Sequence, residues 1–532
     1  MKLSFYGADQ CVTGSCHCLE AAGKRILIDC GLQQGRDEVS NESFPFDPAS
    51  IDYVLVTHAH IDHSGRLPML VRNGFHGRII TTRLTANLLD IMLLDSAYIQ
   101  EQDAEWKNRK SERSGMPRVE PLYTVEDAFQ VRQFVSTYEY GQVFDLCEGV
   151  EVEFVDAGHL LGSAFIAMDI TEGDIKKRIV FSGDIGNVNQ PIIRDPVYIQ
   201  GAYYVVMEST YGDRNHTDVW DYADNLAAII DETMAQGGNV VIPSFAVGRT
   251  QELLYFIREI KDRGLVKSLP DFPVYIDSPL ARRATALFTG DLHGYLDDDA
   301  MKLVRDGTHM FSFSNLHMTE SVEESRQLNS TPLPKVIISA SGMCDAGRIR
   351  HHLKHNLWRR ESTIVFVGYQ GEGTLGRTLL EGAESVKLFG EEIAVNAKIV
   401  NFKGMSSHAD REHLLKWIAY FQKPKPQHVF VVHGGREVAP YFAQTLNSMG
   451  LNAHAPQYTE TYDLLEDRIV KLGYLPERKA KVAGSRPSSA YERLVSVGQI
   501  LIETIRRAKG RDNKSLARFA DQLRQLIEKW EA

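Results

Sequence analysis

Four side chains able to bind metal ions stand within the six-residue run HAHIDH, residues 58–63. They are His58, His60, Asp62 and His63, in a chain of 532 residues that contains 18 histidines. Imidazole and carboxylate groups suit zinc, and mixed nitrogen and oxygen ligation with an open position is typical of hydrolytic sites, whereas structural sites favour cysteine. The run therefore predicts a hydrolytic metal site. A polar loop with surface histidines is the alternative.

The flanking sequence predicts the elements that hold this run. IDYVLVT, before it, has the β-branched and apolar character of a buried strand, and SGRLPMLVRNG, after it, has the pattern of a short helix. The four side chains thus lie on a strand-to-helix loop. His58 and His60 project to the same side of an extended backbone, whereas Asp62 and His63 follow the turn and can reach a second ion.

Three further candidates follow other predicted strands. His159 comes after EVEFVDA, Asp184 after RIVFS and His433 after VFVV. A rigid sheet can hold side chains at its strand ends in fixed positions. Each of the three taken alone is more often a polar cap of a strand, but together with the HAHIDH run they complete a set of seven ligands.

Composition and charge limit the class of protein. A chain of 532 residues corresponds to roughly three or four folding units, and 43% hydrophobic residues are ample for large cores. No apolar stretch reaches the length of a membrane span and no signal peptide is evident, so we expect a soluble, cytoplasmic protein without membrane contact. The net charge of −11 argues against nucleic-acid binding by bulk electrostatics but leaves a local basic groove open.

The cysteines and the end of the chain each allow two interpretations. Six cysteines include no CxxC pair; Cys11, Cys16 and Cys18 could form part of a metal knuckle, but we expect buried, reduced thiols. From residue 471 onward, Lys and Arg outnumber Asp and Glu roughly two to one. This basic tail is either a nucleic-acid contact or a solvated helix face.

The order of predicted elements indicates an inserted domain. Short strands and helices alternate up to about residue 205, and a doubly wound pattern follows, with strands in NVVIPSF, DFPVYIDSP, KVIISASGM and STIVFVGYQ separated by long helices. After about residue 390 the first pattern returns, with AKIVNFKGMSSHAD and QHVFVVHGG. Residues 474–487 are expected to form a linker, and the end of the chain an amphipathic helix.

Several runs, taken together, carry a family resemblance. They are IDCG, HAHIDH, AGHLLGSA, FSGDIG, MESTYGDR, GMSSHAD and VVHGG, spread over about residues 1–440. With them the chain resembles the metallo-β-lactamase superfamily and, within it, the β-CASP nucleases, which include the endonuclease subunit of the pre-mRNA 3′-end cleavage machinery. The resemblance implies an α/β fold: an αββα metallo-β-lactamase sandwich (residues 1–207 and 391–473) with an inserted doubly wound β-CASP domain (208–390), before a linker and basic helical tail (474–532).

The resemblance also implies two zinc ions per chain and a ligand for each position. The first zinc is assigned to His58, His60 and His159, the second to Asp62, His63 and His433, and the bridging position to Asp184. Asp29 would orient the histidine loop, as metal sites require of outer groups. A strand-ending aspartate that bonds local backbone is the alternative for Asp29.

The chemistry expected of such a centre is phosphodiester hydrolysis. Two zinc ions make hydroxide available near neutral pH and clamp the attacking and leaving oxygens of a phosphodiester. By the resemblance, Glu208 and His408 pair by a hydrogen bond, and His408 is the candidate general acid for the leaving oxygen. SSHADREHLLKWI also has the pattern of a serine-capped helix start, which would make His408 an ordinary helix-terminal residue.

Candidate substrate contacts lie on turns of the inserted domain. Ser341, Gly342 and Met343 stand in SASGMCDAGR, where backbone N–H groups could hold a phosphate, and Arg249 and Arg377 lie beside further turns. These runs also resemble those of the family. Each of them alone is as often an ordinary loop.

The leading interpretation is a zinc-dependent ribonuclease that acts on single-stranded RNA in RNA processing or decay. A DNA nuclease is the nearest alternative, and DNA-acting relatives usually lack a histidine at the position of His433. A small-molecule hydrolase or an inactive RNA-binding subunit are alternatives of other classes. The long insertion argues against the former and the complete ligand set against the latter. The sequence does not decide between endonuclease and 5′ exonuclease, or whether the chain forms a homodimer.

Overall fold

The computed structural model describes residues 1–34, 39–111, 117–216, 221–288, 290–371, 373–402, 404–477, 501, 505 and 513–531. The strands, in chain order, are β1 (Lys2–Phe5), β2 (His17–Ala21), β3 (Lys24–Ile28), β4 (Tyr53–Leu55), β5 (Arg78–Thr82), β6 (Val135–Tyr138), β7 (Val143–Cys147), β8 (Val150–Asp156), β9 (Ala164–Glu172), β10 (Ile175–Phe181), β11 (Tyr204–Glu208), β12 (Val240–Pro243), β13 (Val274–Asp277), β14 (Leu316–Met318), β15 (Val336–Ser339), β16 (Thr363–Phe366), β17 (Ser385–Leu388), β18 (Glu391–Ala394), β19 (Lys398–Asn401), β20 (His428–Val432), β21 (Ala453–His454), β22 (Thr461–Asp463) and β23 (Arg468–Lys471). The α-helices are α1 (Ile61–Ser64), α2 (Leu67–Arg72), α3 (Arg83–Ser111), α4 (Val125–Gln130), α5 (Tyr222–Ala235), α6 (Arg249–Asp262), α7 (Pro279–Leu287), α8 (Asp298–Arg305), α9 (Val322–Ser330), α10 (Ile349–Asn356), α11 (Leu375–Leu380), α12 (Arg411–Ala419), α13 (Val438–Ser448) and α14 (Asn513–Glu531). Short 3-10 helices cover Pro48–Ser50 and Val131–Phe134.

Two large mixed sheets form the centre of the first unit. One has the strand order β23-β22-β1-β2-β3-β4-β5-β6, and the other has the order β21-β20-β11-β10-β9-β8-β7. Leu3 and Ile26 of the first sheet and Val152 and Ile166 of the second belong to one buried cluster, so the sheets pack face to face. Burial of these alternating apolar side chains from water is the main force that joins the two layers.

Helices cover the outer face of each sheet. Leu70 of α2 and Leu88 of α3 share a buried cluster with Val54 of the first sheet. On the other side, Trp417 of α12 and Phe442 of α13 pack in the cluster that contains the second sheet's outer face. The layers therefore run helix, sheet, sheet, helix, which confirms the predicted αββα sandwich.

The inserted region forms a third, six-stranded sheet. Its strand order is β14-β13-β15-β12-β16-β19, and each pairing in it is parallel. Helices α6, α7, α9 and α10 lie between successive strands, because a parallel sheet needs a crossover between each pair. The predicted doubly wound α/β insertion is confirmed.

One strand lies in a different sheet from the one that the sequence pattern indicated. Strand β19, from the run AKIVNF, pairs in register with β16 of the third sheet, with Ile399 opposite Ile364. Its prediction as part of the first domain was wrong, because a short β-branched run suits a buried strand in either sheet and does not name its partner. The proposed limits of the domains otherwise stay a prediction.

Helix α12 begins later than the sequence pattern indicated. The cap is Asp410, whose side chain accepts the backbone N–H of His413, and not one of the serines before it. Aspartate and serine are both good caps, so the pattern alone could not choose between them. His408 therefore lies in the loop before the helix, outside the helical turns.

The rest of the chain adds three findings. In the part of the chain that is described, no helix has the length and apolar character needed to cross a bilayer. Five of the six cysteine side chains are buried and Cys147 is half-buried, and none of the six forms a disulfide bond. Residues 479–532 form a second unit, of which α14 is described; most of the predicted linker, from residue 478 to 487, lies outside the described residues.

Candidate metal centre

The candidate site lies where several strands end at one edge of the second sheet. Strands β10, β11 and β20 are parallel neighbours, so their carboxyl ends meet there. Asp184 follows β10, Glu208 ends β11 and His433 follows β20. His159 follows β8, which runs in the same direction as β10 because each is antiparallel to β9. After β4 of the first sheet, a loop with His58 and His60 and the short helix α1 with Asp62 and His63 reach the same edge, so only two of the four side chains lie on the loop that the sequence predicted.

A first group of ligand atoms consists of three imidazoles and one carboxylate. His58 Nε2 lies 3.0 Å from His60 Nδ1, and His159 Nε2 lies 3.2 Å from the same atom. Asp184 Oδ2 is 3.4 Å from His58 Nε2 and 3.4 Å from His159 Nε2. The four ligand atoms lie within 4.8 Å of one another, close enough to bind one ion.

A second group adjoins the first and consists of Asp62, His63 and His433. Their ligand atoms also lie within 4.8 Å of one another, with His63 Nε2 3.2 Å from His433 Nε2. The other oxygen of Asp184, Oδ1, is 3.3 Å from His63 Nε2 and 3.5 Å from His433 Nδ1. Asp184 therefore stands between the two groups with one oxygen towards each.

These donors fit metal ions on two independent grounds. Burial lowers the pKa of His60 to about 3 and that of His159 well below its usual value, so these rings are neutral, the form that ligates metal. Nδ1 of His60 faces the nitrogens of both His58 and His159, at 3.0 and 3.2 Å, and one ring nitrogen of a neutral imidazole has a single proton or lone pair to offer them, whereas a shared cation would bind all three nitrogens. Among the described residues, the buried Oδ1 of Asp184 has no hydrogen-bond partner. A cation bound to this oxygen would compensate its charge.

Asp29 fixes the orientation of His63. Its carboxylate accepts the Nδ1 proton of His63 at 2.7 Å, the backbone N–H of Thr57 at 2.8 Å, the Thr57 hydroxyl at 2.9 Å and the Ser15 hydroxyl at 3.2 Å. Donation from Nδ1 leaves His63 Nε2 free for a metal ion. Burial alone would lower the pKa of His63, but the charges of Asp184 and Asp29 raise it well above its usual value.

Two backbone features of the site depend on unusual conformations. Asp29 and His433 have positive φ values of 62° and 46°, which non-glycine residues rarely adopt. Gly183, before Asp184, has a φ of 52°, and a Cβ atom there would lie 2.6 Å from Cβ of Thr57. The close approach of these two loops therefore requires glycine at residue 183.

Glu208 and His408 form a pair beside the two groups. Glu208 Oε1 and Oε2 lie 3.1 and 3.3 Å from His408 Nδ1, and the same carboxylate accepts the N–H of Ile185 at 2.6 Å and of Thr210 at 3.2 Å. Burial lowers the pKa of His408, but the charges of Glu208 and Asp184 outweigh it and raise this pKa to about 9. His408 Nε2 points towards the centre, 3.9 Å from Asp184 Oδ2.

Several residues that contact the site were missed by sequence reasoning. His216 Nε2 lies 2.9 Å from the backbone carbonyl of His408, to which it can donate, and the ring of Tyr211 lies 4.6 Å from that of His216. Thr210 Oγ1 lies 3.1 Å from His433 Nδ1. The available signal was their position directly after Glu208 in MESTYGDRNH. Thr57, whose hydroxyl lies 3.1 Å from His58 Nδ1, directly precedes the HAHIDH run, whereas Ser15, which contacts Asp29, carried no sequence signal.

Three of the predicted substrate-binding residues lie on one loop of the third sheet, and the two arginines lie in helices that follow other strands of it. Ser341, Gly342 and Met343 follow β15, and the backbone N–H of Ser341 donates to the carbonyl of Ala346 at 3.3 Å. Its N–H is therefore used within the loop. Whether residues 341–343 bind phosphate stays a prediction.

The two predicted arginines differ in exposure. Arg249 begins α6 and is buried, with its guanidinium bonded to Glu252. Arg377 lies in α11, its side chain is 44% exposed, and its Nε donates to Glu381 at 2.7 Å. To bind a phosphate, the guanidinium of each arginine must either break its bond to the carboxylate or contact the carboxylate and the phosphate together.

Comparison with known proteins gives three family matches and a set of relatives. The "Metallo-beta-lactamase superfamily" matches residues 10–231, the "Beta-Casp domain" 250–379 and the "Zn-dependent metallo-hydrolase RNA specificity domain" 392–456. A relative named "Ribonuclease TTHA0252", from Thermus thermophilus, is 37% identical over 82% of this chain and 94% of its own length. Relatives named "Transcription termination factor FttA", from Methanosarcina mazei and Methanocaldococcus jannaschii, are 31% and 29% identical, over 87% and 84% of this chain and 72% and 69% of theirs.

The fold and the buried cluster of imidazoles and carboxylates define a metal-dependent hydrolase. The matches show that the chain belongs to the β-CASP family of the metallo-β-lactamase superfamily, and it is an enzyme of the nuclease class. The resemblance noted in the sequence is thereby confirmed.

The role of the hydrogen bond between Asp29 and His63 can be tested by measuring the affinity of the site for metal ions. We expect Asp29→Asn to weaken divalent-metal binding by roughly 10- to 100-fold, because the amide carries no charge and holds the His63 Nδ1 proton less well. Competition with a chromophoric chelator measures this affinity. Ser15→Ala, which removes one donor to Asp29 but leaves the carboxylate, is the matched control and should change the affinity less. Unchanged affinity in a folded Asp29→Asn variant would contradict the assigned role.

Proposed function

We propose that the protein is a zinc-dependent ribonuclease that hydrolyses phosphodiester bonds of single-stranded RNA at a centre of two metal ions. The observation that carries this proposal is the pair of adjacent ligand groups that share Asp184, with His408 directed at them from one side. The name of the Thermus relative and the RNA specificity domain matched over residues 392–456 support RNA as substrate. RNA processing or decay is the process we infer.

Zinc suits the donors better than a harder ion. The first group would hold one ion through His58, His60 and His159, the second would hold another through Asp62, His63 and His433, and Asp184 would bridge them. Five imidazoles with two carboxylates favour zinc over magnesium or calcium, which prefer all-oxygen sites. When bound, zinc would lower the pKa of water enough to make hydroxide available near neutral pH and would neutralise phosphate charge.

The protein's own groups then have distinct tasks. His408 Nε2 faces the centre, so it can donate a proton to the leaving sugar oxygen. Glu208 accepts from Nδ1 of the same ring, which fixes its orientation and favours the protonated form. His216 holds the backbone carbonyl of His408 and so keeps the ring in place. Asp29 keeps His63 turned towards the metal position.

We further propose that the third sheet holds the RNA strand. Ser341, Gly342 and Met343 would contact a phosphate through their loop, and Arg377 and Arg249 would supply positive charge beside neighbouring turns. A strand bound across these loops would pass from the inserted domain into the metal centre. In this proposal the inserted domain comprises residues 208–390 together with strand β19, which pairs with β16 of its sheet.

DNA is the nearest alternative substrate. His433 favours RNA, because DNA-acting relatives usually lack a histidine at its position, and its ring lies within the second ligand group. A small-molecule hydrolase fits less well, since it does not need a large inserted sheet. An inactive binding subunit fits less well too, since all seven ligand side chains are present.

Cleavage of labelled RNA is the test of this function. We expect the purified protein to cut end-labelled and internally labelled single-stranded RNA faster than DNA of matched sequence, to stop in a chelator and to recover with added zinc. The two label positions distinguish an endonuclease from a 5′ exonuclease. His60→Ala should lose most activity and bound metal, whereas His76→Ala, at an exposed histidine outside both ligand groups, should keep both. Faster cleavage of DNA, or full activity of His60→Ala, would contradict the proposal.

The role of His408 can be separated from metal binding. We expect His408→Ala to keep both zinc ions and to bind RNA, while turnover falls by roughly 10²- to 10⁴-fold, the usual contribution of positioned acid catalysis. A substrate with a 3′-thio leaving group departs without needing the proton and should recover much of this loss. Failure of this rescue, or loss of zinc from the variant, would mean that His408 is a metal ligand or a structural residue.

A further inference from the structure

We propose that Phe245 and Tyr369 form a stacking platform for an unpaired RNA base close to the reacting phosphodiester. This inference rests on the proposed ribonuclease function and extends it to a specific contact with the substrate. Both aromatic side chains are partly open to solvent: Phe245 is 40% exposed and Tyr369 is 41% exposed. Neither is therefore needed mainly to fill a core.

The two residues lie at the same edge of the third sheet. Phe245 follows β12 and Tyr369 follows β16, and these strands are parallel neighbours in which Val240 pairs with Thr363. In open parallel α/β sheets, ligands bind outside the carboxyl ends of the strands. The platform therefore occupies the position at which this type of sheet accepts a ligand.

One edge of the Phe245 ring packs against glycine backbone. A Cβ atom at Gly342 would lie 3.1 Å from Cδ2 and Cε2 of this ring, and a Cβ atom at Gly368 would lie 3.7 Å from Cε2. The backbone carbonyl of Phe245 accepts the Thr250 hydroxyl at 2.7 Å. One edge of the ring thus lies against the backbone of Gly342 and near that of Gly368, and the loop that carries it is anchored to α6. A rigid aromatic surface loses little entropy when it binds a base.

A row of rings connects the platform to the metal centre. The ring centroid of Tyr369 is 6.4 Å from that of Tyr211, at an interplanar angle of 87°. The ring of Tyr211 is in turn 6.3 Å from that of His408. Tyr369 is therefore only one ring removed from the proposed general acid. A nucleotide held against it would lie next to the phosphate on which His408 acts.

A nucleobase is the occupant that these features favour. Every base has a flat π face, and stacking on aromatic side chains holds single strands with little dependence on sequence. The contact is also confined to single strands, because bases within a duplex are already stacked on one another. The platform would thus select unpaired RNA at the position where cleavage occurs.

The experiment combines ring deletion with base deletion. Initial rates are measured with single-stranded RNA and with a series of RNAs that carry one abasic nucleotide at successive positions around the cleavage site. The proteins are the unaltered chain, Phe245→Ala, Tyr369→Ala and Tyr369→Phe. Trp358→Ala is the matched control. Trp358 is 56% exposed and belongs to the same domain, but it precedes β16 and so lies at the opposite edge of the sheet. Bound zinc is measured in each protein.

We expect both alanine variants to raise KM by about 5- to 100-fold, the usual contribution of base stacking, with kcat changed less than about twofold and zinc retained. Trp358→Ala should behave like the unaltered chain, and Tyr369→Phe, which keeps the aromatic face, should raise KM much less than Tyr369→Ala. In the unaltered chain, one abasic position should raise KM by a similar factor. In Phe245→Ala the same abasic position should cause no further rise, because the ring that it would have met is absent.

Two results would overturn the inference, and they differ. If the unaltered protein cuts RNA but the alanine variants respond to every abasic position as it does, the platform is wrong while the ribonuclease function stands. This result would also be expected if the rings bound a protein partner. If the unaltered protein cuts no RNA, the platform and the proposed function are wrong together.

Discussion

The buried charge of Asp184 is the constraint on which the rest of the candidate site depends. Its carboxylate is almost fully enclosed, and ring nitrogens of five histidines lie 3.3–3.9 Å from it, those of His58, His63, His159, His408 and His433. A buried carboxylate is stable only when hydrogen bonds or positive charges compensate it, and Oδ1 of Asp184 has no hydrogen-bond partner among the described residues. Cations between the rings would satisfy this requirement and would also relieve the contact between facing imidazole nitrogens.

The fold meets this constraint by bringing together strand ends from distant parts of the sequence. Asp184, Glu208 and His433 follow or end three parallel neighbours of one sheet, so their positions are fixed by the ladder of backbone hydrogen bonds. The HAHIDH loop comes from the other sheet, and the apolar cluster between the two sheets holds it opposite them. Function thus depends on the packing of the sandwich as a whole, since each ligand group takes side chains from both sheets and a shift of one layer would pull both groups apart.

The sequence predicts those parts of this arrangement in which the type of a residue alone indicates its chemistry. Histidines and aspartates at the ends of apolar, β-branched runs are visible without a structure, and the order of such runs predicts the two kinds of sheet. Pairing is less visible, as β19 shows, because Lys398–Asn401 would suit either sheet and only its contacts with β16 assign it. The cap of α12 is a similar case, since Ser406, Ser407 and Asp410 are all capable and the structure uses Asp410.

Other features depend on distances that no sequence pattern contains. Thr57 and Ser15 meet at Asp29, and Phe245 rests on Gly342, although nearly a hundred residues separate that last pair along the chain. The exposure of Phe245 was equally hidden, because PSFAVGRT has the apolar character of a buried turn. Contacts between segments that are far apart in the sequence thus position residues of the metal centre and of the surface beside it, and the local sequence pattern does not reveal these contacts.

The proposed function requires two zinc ions, one on either side of Asp184. Anomalous X-ray diffraction at the zinc edge, from crystals of protein purified without chelators, tests it most directly. We expect two anomalous peaks, one among His58, His60 and His159 and the other among Asp62, His63 and His433, with an oxygen of Asp184 directed at each. A single peak, or an ion held by His408 and Glu208 in place of one of these groups, would contradict it.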